Sequence, residues 1–204
     1  MDPSTERPAG LLASLRSGGQ FRLSAVLAAT TVSAGVVAAF LPLASGVSGG
    51  LAALGLFVQA VASTASRWWA GRHGDRHGHA GLLIPGLLIA SAGMTALVWM
   101  AVPAALIAGM CLFGIGFGIS QNVTFALMID RVPASGYGTA SALWNLAYDA
   151  GYGAGPAVFG MFVAYTGYPA AFALTGMLMV AALVPAVRDR GPARRRPPAA
   201  VPAR

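Results

Sequence analysis

Charge is what this sequence has least of. Only 9% of its 204 residues are Asp, Glu, Lys or Arg, and 56% are hydrophobic, whereas a soluble domain carries about 25% charged residues. So little polar surface cannot cover a water-facing globule, and an integral membrane protein is what remains. Lysine is absent: all 13 basic residues are arginines, set against six acids. The net charge of +7 invites a nucleic-acid reading. The arginines, however, fall in short clusters between apolar runs and not along one soluble face, which argues against it. Cys111 is the only cysteine and sits in an apolar run, so no intrachain disulfide can form and a small apolar helix filler is its expected role. Residues 1–21 lack the compact apolar core and small-residue cleavage site of a secretory signal.

What is present is a series of six apolar runs, at about 23–44, 51–68, 81–100, 104–129, 137–164 and 170–187. Each is near the roughly 20 residues that a transmembrane helix needs, and a helix is the single segment that satisfies its own backbone in lipid. The expected fold is therefore all-α and polytopic. A tail (1–21) precedes the six-helix domain (22–187), and a basic, proline-rich tail (188–204) with too many charges to fold alone follows it. Arginine placement tests the count. Arg7, Arg16 and Arg22 precede the first run; Arg67, Arg72 and Arg76 follow the second; Arg131 follows the fourth; Arg188 and the tail arginines follow the sixth. With six spans all of these share one side, and the turns near Gly46, Met100 and Gly167 carry no charge. The positive-inside rule then expects both termini in the cytoplasm, with Trp99, Tyr165 and Tyr168 in the opposite aromatic belt.

The most charged break reads A-G-R-H-G-D-R-H-G-H-A over residues 70–80. Gly71, Gly74 and Gly78 permit a sharp reversal, Asp75 can accept from free N–H groups at a helix start, and Arg76 can pair with an acid such as Asp130. His73, Asp75, His77 and His79 are also a ligand set that suits zinc or nickel, but the turn explains the same residues, so neither a metal site nor a cofactor is expected. Gly46-Val47-Ser48-Gly49 matches a G-x-S-G serine-protease pattern. That chemistry needs a histidine base, and all three histidines lie at the other face, so an enzyme is not expected.

Asp149 is the only acid well inside a run, twelve residues past Tyr137, which is roughly 18 Å at 1.5 Å per residue. A carboxylate near mid-membrane is costly and by default a functional suspect. It either takes part in transport chemistry or is a structural acid held by Asn145, Asn122 or Tyr148. Gln59, Thr30, Thr31, Gln121 and Asn122 are further cavity-lining candidates. Trp144, Tyr148 and Tyr152 form a stripe at helical spacing, more often packing than a ligand platform. Gly114, Gly116 and Gly118 follow no soluble strand, so close packing and not nucleotide binding is expected of them. Gly151 and Gly155, four apart, let helices approach closely, and with Pro156 and Gly160 they serve either plain packing or a hinge.

Gly71, Asp75, Arg76 and Gly78 match at the right spacing the G-x-x-x-D-R-x-G signature loop of the major facilitator superfamily, which this chain resembles. His79 and Ala80 depart from the basic residues usual there. The Gly151–Pro156 stretch resembles the superfamily's antiporter motif on its fifth helix. The resemblance implies one half of a twelve-span fold, itself a 3+3 repeat. The C-terminal half is the better match, because the fourth run lacks the arginine often found in proton-using N-terminal halves. It further implies a secondary transporter of small molecules in the cell's inner membrane, expected to be proton-coupled and to act in efflux. Gly71, Asp75, Arg76, Gly78, Asp130 and Arg131 would form the cytoplasmic gate; Asp149, Asn145, Asn122 and Gln59 would be the coupling or substrate residues. The substrate path of the family lies between halves, so the chain is expected to pair in the bilayer with a second copy or a separate N-terminal half. A non-transporting scaffold or inactive fragment is the alternative. The topology has a direct check. In a Cys111→Ala background, Ser48→Cys and Arg76→Cys should react with an impermeant maleimide from opposite sides of the membrane; labelling from the same side contradicts the span count.

Overall fold

The computed structural model describes residues 18–44 and 46–188; most of the two expected tails, 1–17 and 189–204, lies outside the described residues. All regular structure among the described residues is helical: α1 (Gly18–Phe40), α2 (Gly49–His77), α3 (Leu83–Ala96), α4 (Pro103–Asp130), α5 (Tyr137–Ala181) and α6 (Leu183–Arg188), the first five joined by single 3-10 turns. Including those turns, five helical stretches are long and apolar enough to cross a membrane: Gly18–Leu43, Gly49–His77, Ala80–Trp99, Pro103–Asp130 and Ala134–Arg188.

Local chemistry sets these limits. Ser48 caps α2 by accepting the Leu51 N–H at 3.3 Å, and Pro103 opens α4 in its first turn, where its missing donor costs nothing. Several hydroxyls inside the helices are absorbed by their own backbones. Thr30 donates to the Leu27 carbonyl at 2.8 Å and Ser33 to Ala29 at 3.1 Å, which removes their cost in lipid.

Three boundaries differ from expectation, the first being the start of α1 at Gly18, inside the stretch expected to be tail. The second helix does not stop at Trp68 but runs on to His77. Its polar extension is held by contacts one turn apart: Trp69 stacks on His73 (5.0 Å), His73 on His77 (4.5 Å), and the Arg72 guanidinium lies 4.2 Å over the Trp68 ring. The separately expected fifth and sixth runs lie on one 55-residue helical stretch that breaks at Gly167, whose φ of 74° and ψ of 167° are non-helical. The arm before the break lies on α1, where Gly151 and Gly155 meet Ala28 and Val32. The arm after it lies on α3, where Ser91 donates to the Gly176 carbonyl at 3.3 Å.

The core has two apolar layers stacked along the helix axes. One, toward the uncharged turns, gathers Leu41, Met94, Met110, Phe113, Phe159 and Phe172. The other, toward the arginine-bearing ends, gathers Leu23, Leu87, Val123, Met128 and Leu143. Small residues bring the backbones together. A Cβ at Gly35 would land on the Tyr152 carbonyl, one at Gly155 on the Val32 carbonyl, and one at Gly118 on the Ser63 carbonyl. Thus α1 seats on α5 and α4 on α2 with backbone nearly in contact, as membrane helices do when apolar burial gives them no mutual attraction. Gly155→Val should therefore lower thermal stability in detergent by about 1–3 kcal/mol. Gly153→Ala, whose Cβ meets nothing within 4 Å, should be neutral or stabilise by up to about 1 kcal/mol. Equal melting temperatures for Gly155→Val and the unmodified protein would remove the seam from the account.

Candidate functional site

The α1 seam fixes which way α5 faces. Gly151 lies two residues beyond Asp149, so at 3.6 residues per turn it points about 160° away. With Gly151 and Gly155 buried against α1, Asn145 and Asp149 are exposed on the open side of α5. The Asn145 side-chain amide donates to the Ser141 carbonyl at 2.9 Å. Asp149 has no hydrogen-bond or ion-pair partner among the described residues, so the structural pairings with Asn145, Asn122 or Tyr148 are not formed.

Beside that open side runs an aromatic ladder. Trp144 stacks on Tyr148 with ring centres 5.4 Å apart, and Tyr148 on Tyr152 at 6.1 Å with planes 7° apart. Its base is fixed to α4: the Trp144 indole N–H donates to the Thr124 hydroxyl at 3.2 Å, and Phe125 meets the indole edge-on at 5.6 Å.

The other expected coupling residues lie elsewhere. Gln59 presents its backbone to Gly114 in the α2–α4 seam, and the Asn122 side-chain amide would stand 3.3 Å from a Cβ at Gly71. Asn122 therefore sits at the foot of the α2 extension and not beside Asp149. Next to it, Arg67 donates to the Gln121 side-chain oxygen. Gln121 is only 2% exposed, and its amide nitrogen, the Asn122 oxygen and the Ser120 hydroxyl have no partner. This polar knot joins positions 54 residues apart and was not anticipated as a pair; Arg67 had served only as a topological marker.

The charged break is arranged differently from a glycine-paced reversal. Gly71 and Gly74 are helical, and Gly78 alone turns, with φ 88° and its N–H donating to Gly74 at 2.7 Å. Gly74 is small because the His79 ring folds back over it. Asp75, rather than capping the next helix, stands in the last turn of α2 4.0 Å from His79. Across the bundle, the Arg131 guanidinium lies against Gly19, and the Gln20 side chain donates to the Met128 carbonyl at 2.9 Å, tying the start of α1 to the end of α4. Gln20, placed by sequence in the tail, is thus part of the bundle.

A cavity of about 670 Å³ lies between α2, α3 and α4, lined by Phe57, Val61, Trp69, Ile89 and Ile115 among others. Its only heteroatom-bearing side chains besides the Trp69 indole are Ser66 and Cys111, so it offers no charge, and it touches neither Asp149 nor the ladder. No group of three or more metal-ligating side chains occurs among the described residues.

Helices seamed backbone to backbone by glycine are what a polytopic membrane bundle needs. The family model of the Major Facilitator Superfamily matches residues 22–203. The chain belongs to that superfamily. Among 64 matching solved chains is a peptide transporter, POT, crystallised with alafosfalin. It is 22% identical, with a TM-score of 0.75 over 84% of this chain, and this chain spans 38% of its length. That likeness shows the superfamily fold. No curated protein sequence matches. The chain is thus a multi-pass membrane protein of a transporter superfamily.

The Arg67–Gln121 bond gives a quantitative test. Arg67→Ala should cost about 1–3 kcal/mol because it leaves a buried amide unpaired at both ends, and far less in a Gln121→Leu background. A double-mutant cycle without coupling contradicts the pairing.

Proposed function

We propose that the chain is one wall of a secondary active transporter, with Asp149 as its proton-coupling or substrate-contacting group. The observation that carries this is the exposure of Asp149 without a partner, about 18 Å along α5. A carboxylate at that depth is too costly to face lipid tails. The open side of α5 therefore faces water or protein, as the wall of a path does. In this reading the 55-residue stretch crosses twice, turning at Gly167, because at 1.5 Å per residue it is about 80 Å long against a hydrocarbon core of about 30 Å. That gives six crossings and places both termini with the arginines in the cytoplasm of an inner membrane. Two like seams, α1 on α5 and α4 on α2, support a 3+3 repeat.

The unit corresponds best to a C-terminal half and forms its path with a second six-span unit, a separate N-terminal half or a second copy. The gate is the α2 extension with Gly71, Asp75, Arg76 and Gly78, together with Asp130 and Arg131 at the end of α4. Gly151, Gly155, Pro156 and Gly160 supply the close seam, with Gly160 beside Phe40. Their likeness to the antiporter motif is the reason for reading the direction as efflux. In proteoliposomes carrying an internal pH dye, a panel of small lipophilic solutes should drive proton movement, and Asp149→Asn should slow it by about tenfold or more, a barrier change of about 1.4 kcal/mol. Undiminished flux in Asp149→Asn removes the coupling role. A chain that moves nothing even as a dimer or beside an N-terminal six-span half supports a non-transporting scaffold instead.

A further inference from the structure

We propose that the open side of α5 is a half-site for a bulky organic cation, with Asp149 as the counter-charge and Tyr152 as the platform. The inference rests on reading this face as a transport path, and it names the class of molecule the path accepts. Around the axis of α5, Asn145 lies about 40°, Tyr152 about 60°, Tyr148 about 100° and Trp144 about 140° from Asp149, all in the same sense. One arc therefore grades from carboxylate through amide to aromatic. Asp149 and Tyr152 are three apart, which sets their Cβ atoms about 5–6 Å from each other. Tyr152 is 40% exposed and is the last ring of the ladder, stacked on Tyr148.

A cation seated there meets a carboxylate on one side and a ring face on the other, the two environments that attract it without water. Behind Tyr152 the ladder is locked by the Trp144–Thr124 hydrogen bond, so the platform is preorganised. Phe125, also 40% exposed and edge-on to Trp144, extends the apolar wall. Sign selectivity follows from composition: no basic residue stands between Arg131 and Arg188, so nothing on this helix neutralises Asp149. A bare metal ion is a poor match, since the arc offers one carboxylate and one amide where such an ion needs several oxygen ligands. A flat or branched ammonium or phosphonium uses every element of the arc.

The test is equilibrium dialysis of the 204-residue chain in detergent with tritiated tetraphenylphosphonium, and with tetraphenylborate as the control of equal shape and opposite charge. Saturable binding of the phosphonium is expected, weakened about tenfold or more by Asp149→Asn and by Tyr152→Ala and retained in Asp149→Glu and Tyr152→Phe. The two conservative variants separate loss of the site from loss of the fold. No saturable phosphonium binding, unchanged affinity in Asp149→Asn, or equal binding of tetraphenylborate overturns the proposal. Because dialysis needs no alternation between states, binding without flux counts against the transport reading alone. Flux without phosphonium binding counts against this substrate class alone.

Discussion

Everything in this bundle depends on helices touching where they have no side chains. In lipid an apolar surface gains nothing by turning toward another apolar surface, so association rests on close van der Waals contact. The α1–α5 seam meets that demand with Gly35, Gly151 and Gly155 set against the backbones of Tyr152, Ala28 and Val32. On the other side of the bundle Gly114 and Gly118 do the same for α4 on α2. A methyl group added at any of these positions has nowhere to go, which fixes both the spacing and the rotation of each helix.

Fixed rotation is what connects packing to function. Once Gly151 and Gly155 face α1, helical geometry turns Asp149 outward and leaves the aromatic ladder along the edge of the same open side. The carboxylate's exposure is therefore a consequence of the seam and not of local preference. Thr30, Thr31 and Ser33 of α1 spend their hydroxyls on α1 carbonyls. Two of the polar pairs that cross between helices, Arg67 with Gln121 and Gln20 with Met128, lie toward the arginine-bearing ends. There they tie α2 to α4 and α1 to α4, and the lone acid stays unpaired near the middle.

Much of this is legible in the sequence. Apolar runs bounded by Gly, Pro and charge mark the helices, because a break in hydropathy and a break in backbone coincide in a membrane. The four-residue spacing of Gly151 and Gly155 identifies the seam, and one acid in an apolar run identifies itself. The end of α2 was misplaced because three glycines in eight residues look like a turn. Only Gly78 takes a positive φ, while Gly74 serves the His79 ring, a packing reason that composition does not reveal. The Arg67–Gln121 pair was invisible because 54 residues separate its partners and each has an ordinary reason to be where it is. The break at Gly167 falls where the Gly-Tyr-Pro sequence suggested, although helical hydrogen bonding resumes so closely that one continuous stretch results.

The central claim is that the open side of α5 faces a wet path and not lipid. In a Cys111→Ala background, the reaction rates of Gly153→Cys and Leu88→Cys with a hydrophilic thiosulfonate in intact membranes test it most directly. Both positions are exposed, but Gly153 stands one turn from Asp149 on α5 and Leu88 on the outer side of α3. Fast modification at position 153 and slow modification at position 88 are expected, because a thiol reacts as the thiolate and needs water to ionise. Equally slow reaction at both positions would contradict it.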